Sequence, residues 1–142
     1  MPENLTAKAE VTISAPVARV WDALVNPEII KRYMFGATVV SDWQVGSPIV
    51  WKGEWKGKPF EDKGRILEIQ PKKRLRYSHF SPLSGAPDRP ENYHTVTIEI
   101  DGSDGTVRVD LSQDQNPSEK AREESQRNWS AMLEGLKKAV EN

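Results

Sequence analysis

The sequence predicts an α+β protein: a curved antiparallel sheet of about six or seven strands wrapped around a long C-terminal helix, with two short helices after the first strand. Two observations carry this. Residues 118–141 place Ala121, Trp129, Met132, Leu133, Leu136 and Val140 at three- and four-residue spacings, which makes one apolar stripe, while Glu119, Glu123, Glu124, Arg127, Glu134, Lys137 and Lys138 cover the opposite side. Between residues 38 and 113, segments of strand-like composition are joined in pairs by short turn sequences, the pattern of a meander rather than of parallel crossover units. At roughly 1.5 Å per residue the last helix is about 35 Å long, enough to cross a small domain.

The elements follow in order. Residues 1–6 are polar and read as frayed. Residues 7–14 alternate, with Ala9, Val11 and Ile13 on one face and Lys8, Glu10 and Thr12 on the other, as in a half-buried strand. Ser14-Ala15-Pro16 ends that strand and starts a helix, with serine as the expected cap and proline accommodated in the first turn. Val17, Val20, Trp21, Leu24 and Val25 form its stripe. Asn26-Pro27 breaks it, residues 28–33 form a second short helix, and Gly36 closes the unit. Strands over 38–43 and 48–55 flank a turn at 44–47. Strands over 60–69 and 74–80 flank 70–73, and strands over 93–101 and 106–113 flank 102–105. The connection 81–92 holds three prolines and Gly85, too long and stiff for a tight hairpin; such loops are often rim or binding elements. The last helix starts behind Asn116-Pro117-Ser118, half a capping box, with Glu119, Glu123 and Glu124 near the positive end of its dipole.

Composition excludes several classes. The 142 residues suit one domain with a real core, and the expected domain is the whole chain, 1–142. A net charge of −1 with acids and bases interspersed leaves no electrostatic footprint for nucleic acid or an anionic membrane. With no cysteine there are no disulfides, no thiol catalysis and no cysteine metal sites. No apolar run is long enough to span a bilayer and no signal pattern opens the chain, so the expectation is a cytoplasmic protein. A nucleophile elbow, a phosphate-binding loop, a dinucleotide glycine pattern and a zinc helix motif are all missing, and no cofactor is expected. The polar outer-strand positions Arg76, Ser78, Arg108 and Asp110 suit a monomer.

Strand, two helices, six strands and a long helix is an order that resembles the helix-grip fold of the START-like (SRPBCC) superfamily. Within it, the residues look like the family of activator of heat-shock-protein-90 ATPase homologues. The matching stretches are Ile13-Ser14-Ala15-Pro16-Val17-Ala18-Arg19-Val20-Trp21-Asp22-Ala23-Leu24 and Pro27-Glu28-Ile29-Ile30-Lys31-Arg32-Tyr33. They continue in Gly64-Arg65-Ile66-Leu67-Glu68-Ile69-Gln70-Pro71 with Arg74-Leu75, and in Asn128-Trp129-Ser130-Ala131-Met132-Leu133. Where the family usually has glycine before the tryptophan of the last helix this chain has Asn128, and where it often has histidine near the end of the last strand this chain has Gln113. The resemblance implies a hydrophobic cavity with variable contents, mostly in bacterial proteins. It also implies two rival functions: action on a chaperone ATPase through the surface, or cavity-type cyclase or dehydratase chemistry. The latter would recruit His79, His94, Glu68 or Asp110, of which Asp110 points outward.

The inward pattern of the central hairpin supplies the candidate site. Leu75, Tyr77 and His79 share one face, and His94, Val96, Ile98 and Ile100 share a face on the next strand. The simplest register sets Leu75 opposite Ile98, Tyr77 opposite Val96 and His79 opposite His94. Val107, Val109 and Leu111 then point inward and place Gln113 beside His94. Both histidines and a glutamine would line one end of an otherwise apolar groove under the long helix, orienting an aromatic or lipid-like ligand by hydrogen bonds and tuning it between about pH 5 and 8. Met34, Trp51, Trp55, Trp129, Met132 and Leu133 would supply the walls. The same side chains also fit a plain core, above all Trp21 and Trp129, and His79, His94 and Gln113 also fit half-wet strand ends. Two histidines are too few for a usual zinc set, and no metal is expected. Which face Ile66, Leu67 and Ile69 present is left open by Gly64, a possible bulge.

Overall fold

The structure is a computed structural model. It describes residues 5–34, 36–55, 57–81, 87–103, 105–116 and 118–141, without the side chains of Trp55 and Ser103. The strands are β1 (Leu5–Ile13), β2 (Thr38–Ser41), β3 (Pro48–Trp55), β4 (Lys58–Gln70), β5 (Arg74–His79), β6 (His94–Ser103) and β7 (Thr106–Asn116). The helices are α1 (Val17–Val25), α2 (Pro27–Tyr33) and α3 (Glu119–Glu141), with a 3-10 turn at Pro90–Asn92. All seven strands form one antiparallel sheet in the order β1-β7-β6-β5-β4-β3-β2. Its curved inner face holds α3, as predicted.

Leu5 and Thr6, read as frayed, open β1: Leu5 pairs with Asn116, whose side-chain amide also donates to the Leu5 carbonyl at 2.9 Å. Ser14 is not the cap of α1. Pro16, in extended conformation, occupies the cap position without a side-chain hydrogen bond, and the Ser14 N–H instead donates to Glu141 Oε2 at 2.8 Å. That bond, with Lys137 Nζ on the Thr12 carbonyl at 3.0 Å, ties the end of α3 to the end of β1. Asn26 caps α2 by accepting from Glu28 N at 3.1 Å, and Ser118 Oγ accepts from Ala121 N at 3.1 Å at the start of α3. The expected strand over 38–43 stops at Ser41, because Trp43 adopts φ 57° and leaves the extended region.

The core lies between the sheet and α3. Leu133, Leu136 and Val140 are buried against Ile13, Val20, Val107, Val109 and Ile66. The β5–β6 register is the predicted one, with Leu75 opposite Ile98, Tyr77 opposite Val96 and His79 opposite His94. Gln113 differs: the Ile98–Leu111 pairing sets it against Val96, two residues short of His94.

The ambiguity around Gly64 is resolved by β4. Up to Arg65 this strand pairs with β3; from Ile66 it pairs with β5, and the register shifts between Ile66 and Glu68. Leu67 is the extra residue of the bulge, so Ile66 points inward and Leu67 is 43% exposed. Gly64 is not the bulge but a close approach: a Cβ there would lie 1.7 Å from the Ser78 carbonyl oxygen. Among the described residues the exposed large apolar side chains are Leu67, Val40 and Val45, on β4, on β2 and in the β2–β3 turn.

Candidate ligand-binding cleft

Period-two alternation along β4 puts Phe60, Asp62, Gly64 and Ile66 on the inner face. Trp51 from β3 and Tyr77 and His79 from β5 point to the same side, and Gln113 rises from β7. The first half of α3 passes over them with Ser125, Asn128, Trp129 and Met132, while Met34 and Ala37 close the side behind α2. Together these residues enclose a cleft of ≈ 330 Å³. A larger hollow of ≈ 650 Å³ lies on the opposite face of the sheet, among outward side chains that include Lys63, Arg65 and Asp88, away from α3.

Of the predicted wall and edge residues, Met34, Trp51, Tyr77, His79, Gln113, Trp129 and Met132 line the cleft. Leu133 does not: it is fully buried beneath α3, one position round the helix from Met132. His94 does not either, as its Nδ1 is tied to the Asp114 carbonyl at 2.8 Å and its ring stands 6.5 Å from that of His79. The side chain of Trp55 lies outside the described residues. Asp62, Phe60, Ala37, Ser125 and Asn128 line the cleft and were missed. For Asp62 and Phe60 the signal was available: counting back by twos from Ile66 reaches Gly64, Asp62 and Phe60.

The polar chemistry divides into two groups. His79 Nε2 donates to Asp62 Oδ2 at 2.9 Å; the carboxylate can only accept, so the proton sits on Nε2. Trp51 packs edge-on against this histidine with ring centroids 5.1 Å apart. The other atoms of the pair, Asp62 Oδ1 and His79 Nδ1, are buried without a hydrogen-bond partner among the described residues, at a cost of about 1–3 kcal/mol each. In the second group the Trp129 indole N–H donates to Gln113 Oε1. Because an indole can only donate, this contact assigns the amide oxygen of Gln113 to Trp129 and leaves the NH₂ for the cleft.

Two tyrosines flank the cleft. Tyr33 donates to the Ala23 carbonyl at 2.7 Å and fastens α2 to α1. Tyr77, 5.1 Å from Trp51 between ring centroids, has no hydrogen-bond partner for its hydroxyl among the described residues. Burial pushes both phenols well above their usual range, so both keep their protons in the neutral range. Among the described residues no three His, Asp or Glu side chains gather closely enough to hold a metal ion. No described helix is long and apolar enough to cross a membrane.

The chain resembles several solved structures. The solution structure of ChR145 from Cytophaga hutchinsonii is 59% identical, with 100% of this chain and 97% of that one covered at a TM-score of 0.87. CV1439 from Chromobacterium violaceum is 23% identical over 97% of this chain and 98% of that one, at a TM-score of 0.82. CalU16 from Micromonospora echinospora is 20% identical over 97% and 85%, at 0.73. The last two show the shared fold alone. No curated protein matches the chain. The match that covers residues 14–141 is to a family: the chain belongs to the activator of Hsp90 ATPase homolog 1-like proteins, within the START-like superfamily.

Proposed function

We propose that the protein binds a small, mostly apolar molecule, aromatic or lipid-like, in the cleft under the first half of α3. One observation carries the reading. Where the rest of the groove under α3 is filled by Leu133, Leu136 and Val140, the stretch between Trp51, Tyr77 and Trp129 keeps ≈ 330 Å³ of space, at the low end of typical ligand pockets. Binding would be driven by removing apolar area from water, at about 25 cal/mol per Å² before ordering costs. The polar groups of the cleft would set the ligand's orientation.

Tryptophan fluorescence titrated with tetralin, naphthalene and decanoic acid tests this, followed by chemical-shift mapping with the compound that binds. The expected result is saturable binding that shifts the Trp51 and Trp129 indole signals and leaves the Val140 end of α3 unmoved. Absence of saturable binding across the panel would end the reading.

A further inference from the structure

Tyr77, Val96 and Gln113 are successive partners across β5, β6 and β7, so they form one inward row. Their outer members stand about two strand spacings, or about 10 Å, apart at the backbone. Val96 between them is small and fully buried, and both of its neighbours line the cleft. Each of the two presents a donor. The Tyr77 hydroxyl has no partner among the described residues, and the Gln113 NH₂ faces away from the indole that holds its oxygen. The acceptors of the neighbouring Asp62–His79 pair are already committed or closed off: Asp62 Oδ2 takes the His79 proton, and Asp62 Oδ1 and His79 Nδ1 are shut away behind their neighbours. On the sheet side of the cleft the available polar groups are therefore donors, while Ser125 and Asn128 bring acceptors from α3.

We infer that the cleft prefers apolar ligands carrying a carbonyl group, whose oxygen accepts from the Tyr77 hydroxyl with the Gln113 amide as second donor. This rests on the reading above, that the cleft takes a small apolar molecule. The ligand's hydrocarbon frame would lie against Trp51 and Trp129. A hydrocarbon of the same size leaves both donors unmatched, and that is where discrimination arises, because a buried donor without an acceptor carries its full desolvation cost. Burial keeps the Tyr77 phenol protonated, so the preference is expected to hold across the neutral pH range.

The test is a cycle of two ligands and two proteins: tetralin and 1-tetralone against wild type and Tyr77→Phe. The substitution removes one oxygen that bonds to no described residue, so the fold keeps its contacts. Taking the ratio of the tetralin and 1-tetralone dissociation constants in each protein cancels the different hydration of the two compounds. The expected result is a ratio roughly three- to tenfold larger in wild type than in Tyr77→Phe, with tetralin binding the two proteins about equally. With carbonyl-labelled 1-tetralone, the ¹³C signal of the bound ligand should lie further downfield in wild type than in the variant. Equal ratios in the two proteins would overturn the carbonyl preference while leaving apolar binding intact. Failure of both compounds to bind wild type would overturn the cleft itself, and binding of tetralin alone would overturn the preference.

Discussion

At one end of the space under α3, the Tyr33 hydroxyl donates to the Ala23 carbonyl, and Leu136 and Val140 are buried. At the other end, the Tyr77 hydroxyl bonds to no described residue and adjoins open volume. The same helix roofs both ends. Leu136 and Val140 seal the first against β1, β6, β7 and the two short helices, while Trp129 and Met132 span the second. The difference lies in side-chain shape and polarity rather than backbone. At the closed end, branched aliphatic residues interdigitate. At the open end, large rings and a half-buried polar pair hold each other apart, since Trp51 braces His79, His79 bonds Asp62, and Trp129 bonds Gln113. A groove of uniform backbone thus becomes core at one end and cleft at the other.

The strongest way to break this comparison is truncation on both sides of the boundary. Leu136→Ala should cost about 2–5 kcal/mol, because it empties a closed site. Met132→Ala, which borders space that already exists, should cost distinctly less; urea denaturation of both measures it. Equal costs would mean that the cleft is not open in solution.

The two tyrosines give the next contrast. Tyr33→Phe strands the Ala23 carbonyl and should destabilise by about 1–3 kcal/mol. Tyr77→Phe should fall within about 0.5 kcal/mol of wild type, or stabilise slightly, since no described bond is lost. Thermal melts of the pair decide it.

The same residues predict alkaline behaviour. Each has a folded pKa raised above the ordinary value of 10.0, first by burial, so its contribution is full below pH 10 and is lost as pH rises toward the folded value. Stability should therefore fall above pH 10 by up to about 1.4 kcal/mol per pH unit for each tyrosine, and either phenylalanine variant should remove one share of that slope. A flat stability profile from pH 10 to 11.5 would contradict the burial of both phenols.

The smallest effect belongs to the far end of α3. Lys137, and then the Ser14 N–H, hold the Glu141 carboxyl below its usual range. Its contribution is present above the unfolded value of 4.5 and disappears as pH drops through the lower folded value. Glu141→Gln should lower the melting temperature slightly at pH 7 and by less as the pH is taken down toward 3. A shift of the same size at both pH values would show that this pin does not act through charge.

Most of the fold was legible because its causes are local and periodic. The stripe of α3, the alternation in β1 and β7, the break at Asn26-Pro27 and the hairpin turns all express side-chain spacing along a single segment. Cross-strand register followed wherever an apolar face had to stay inside, which is why Leu75, Tyr77 and His79 were matched correctly with Ile98, Val96 and His94. Two errors arose where a segment's conformation depends on another segment. Ser14 was assigned to cap α1, but Glu141, 127 positions later, takes its N–H. Gln113 was placed beside His94, but the β6–β7 register stops it at Val96 and turns it toward Trp129.

The sequence by itself determined which side chains could face the groove; the tertiary structure decided which of them meet. Asp62 shows the boundary. Its inward position follows from parity with Ile66, but only because the bulge at Leu67 comes after Ile66 and the close pass of Gly64 by Ser78 keeps β4 against β5. That Asp62 then reaches His79, and that the space beside them stays unfilled, depends on packing among β3, β5, β7 and α3 at once. No periodicity along one strand encodes that volume, because a cavity belongs to the surfaces that fail to touch rather than to any segment.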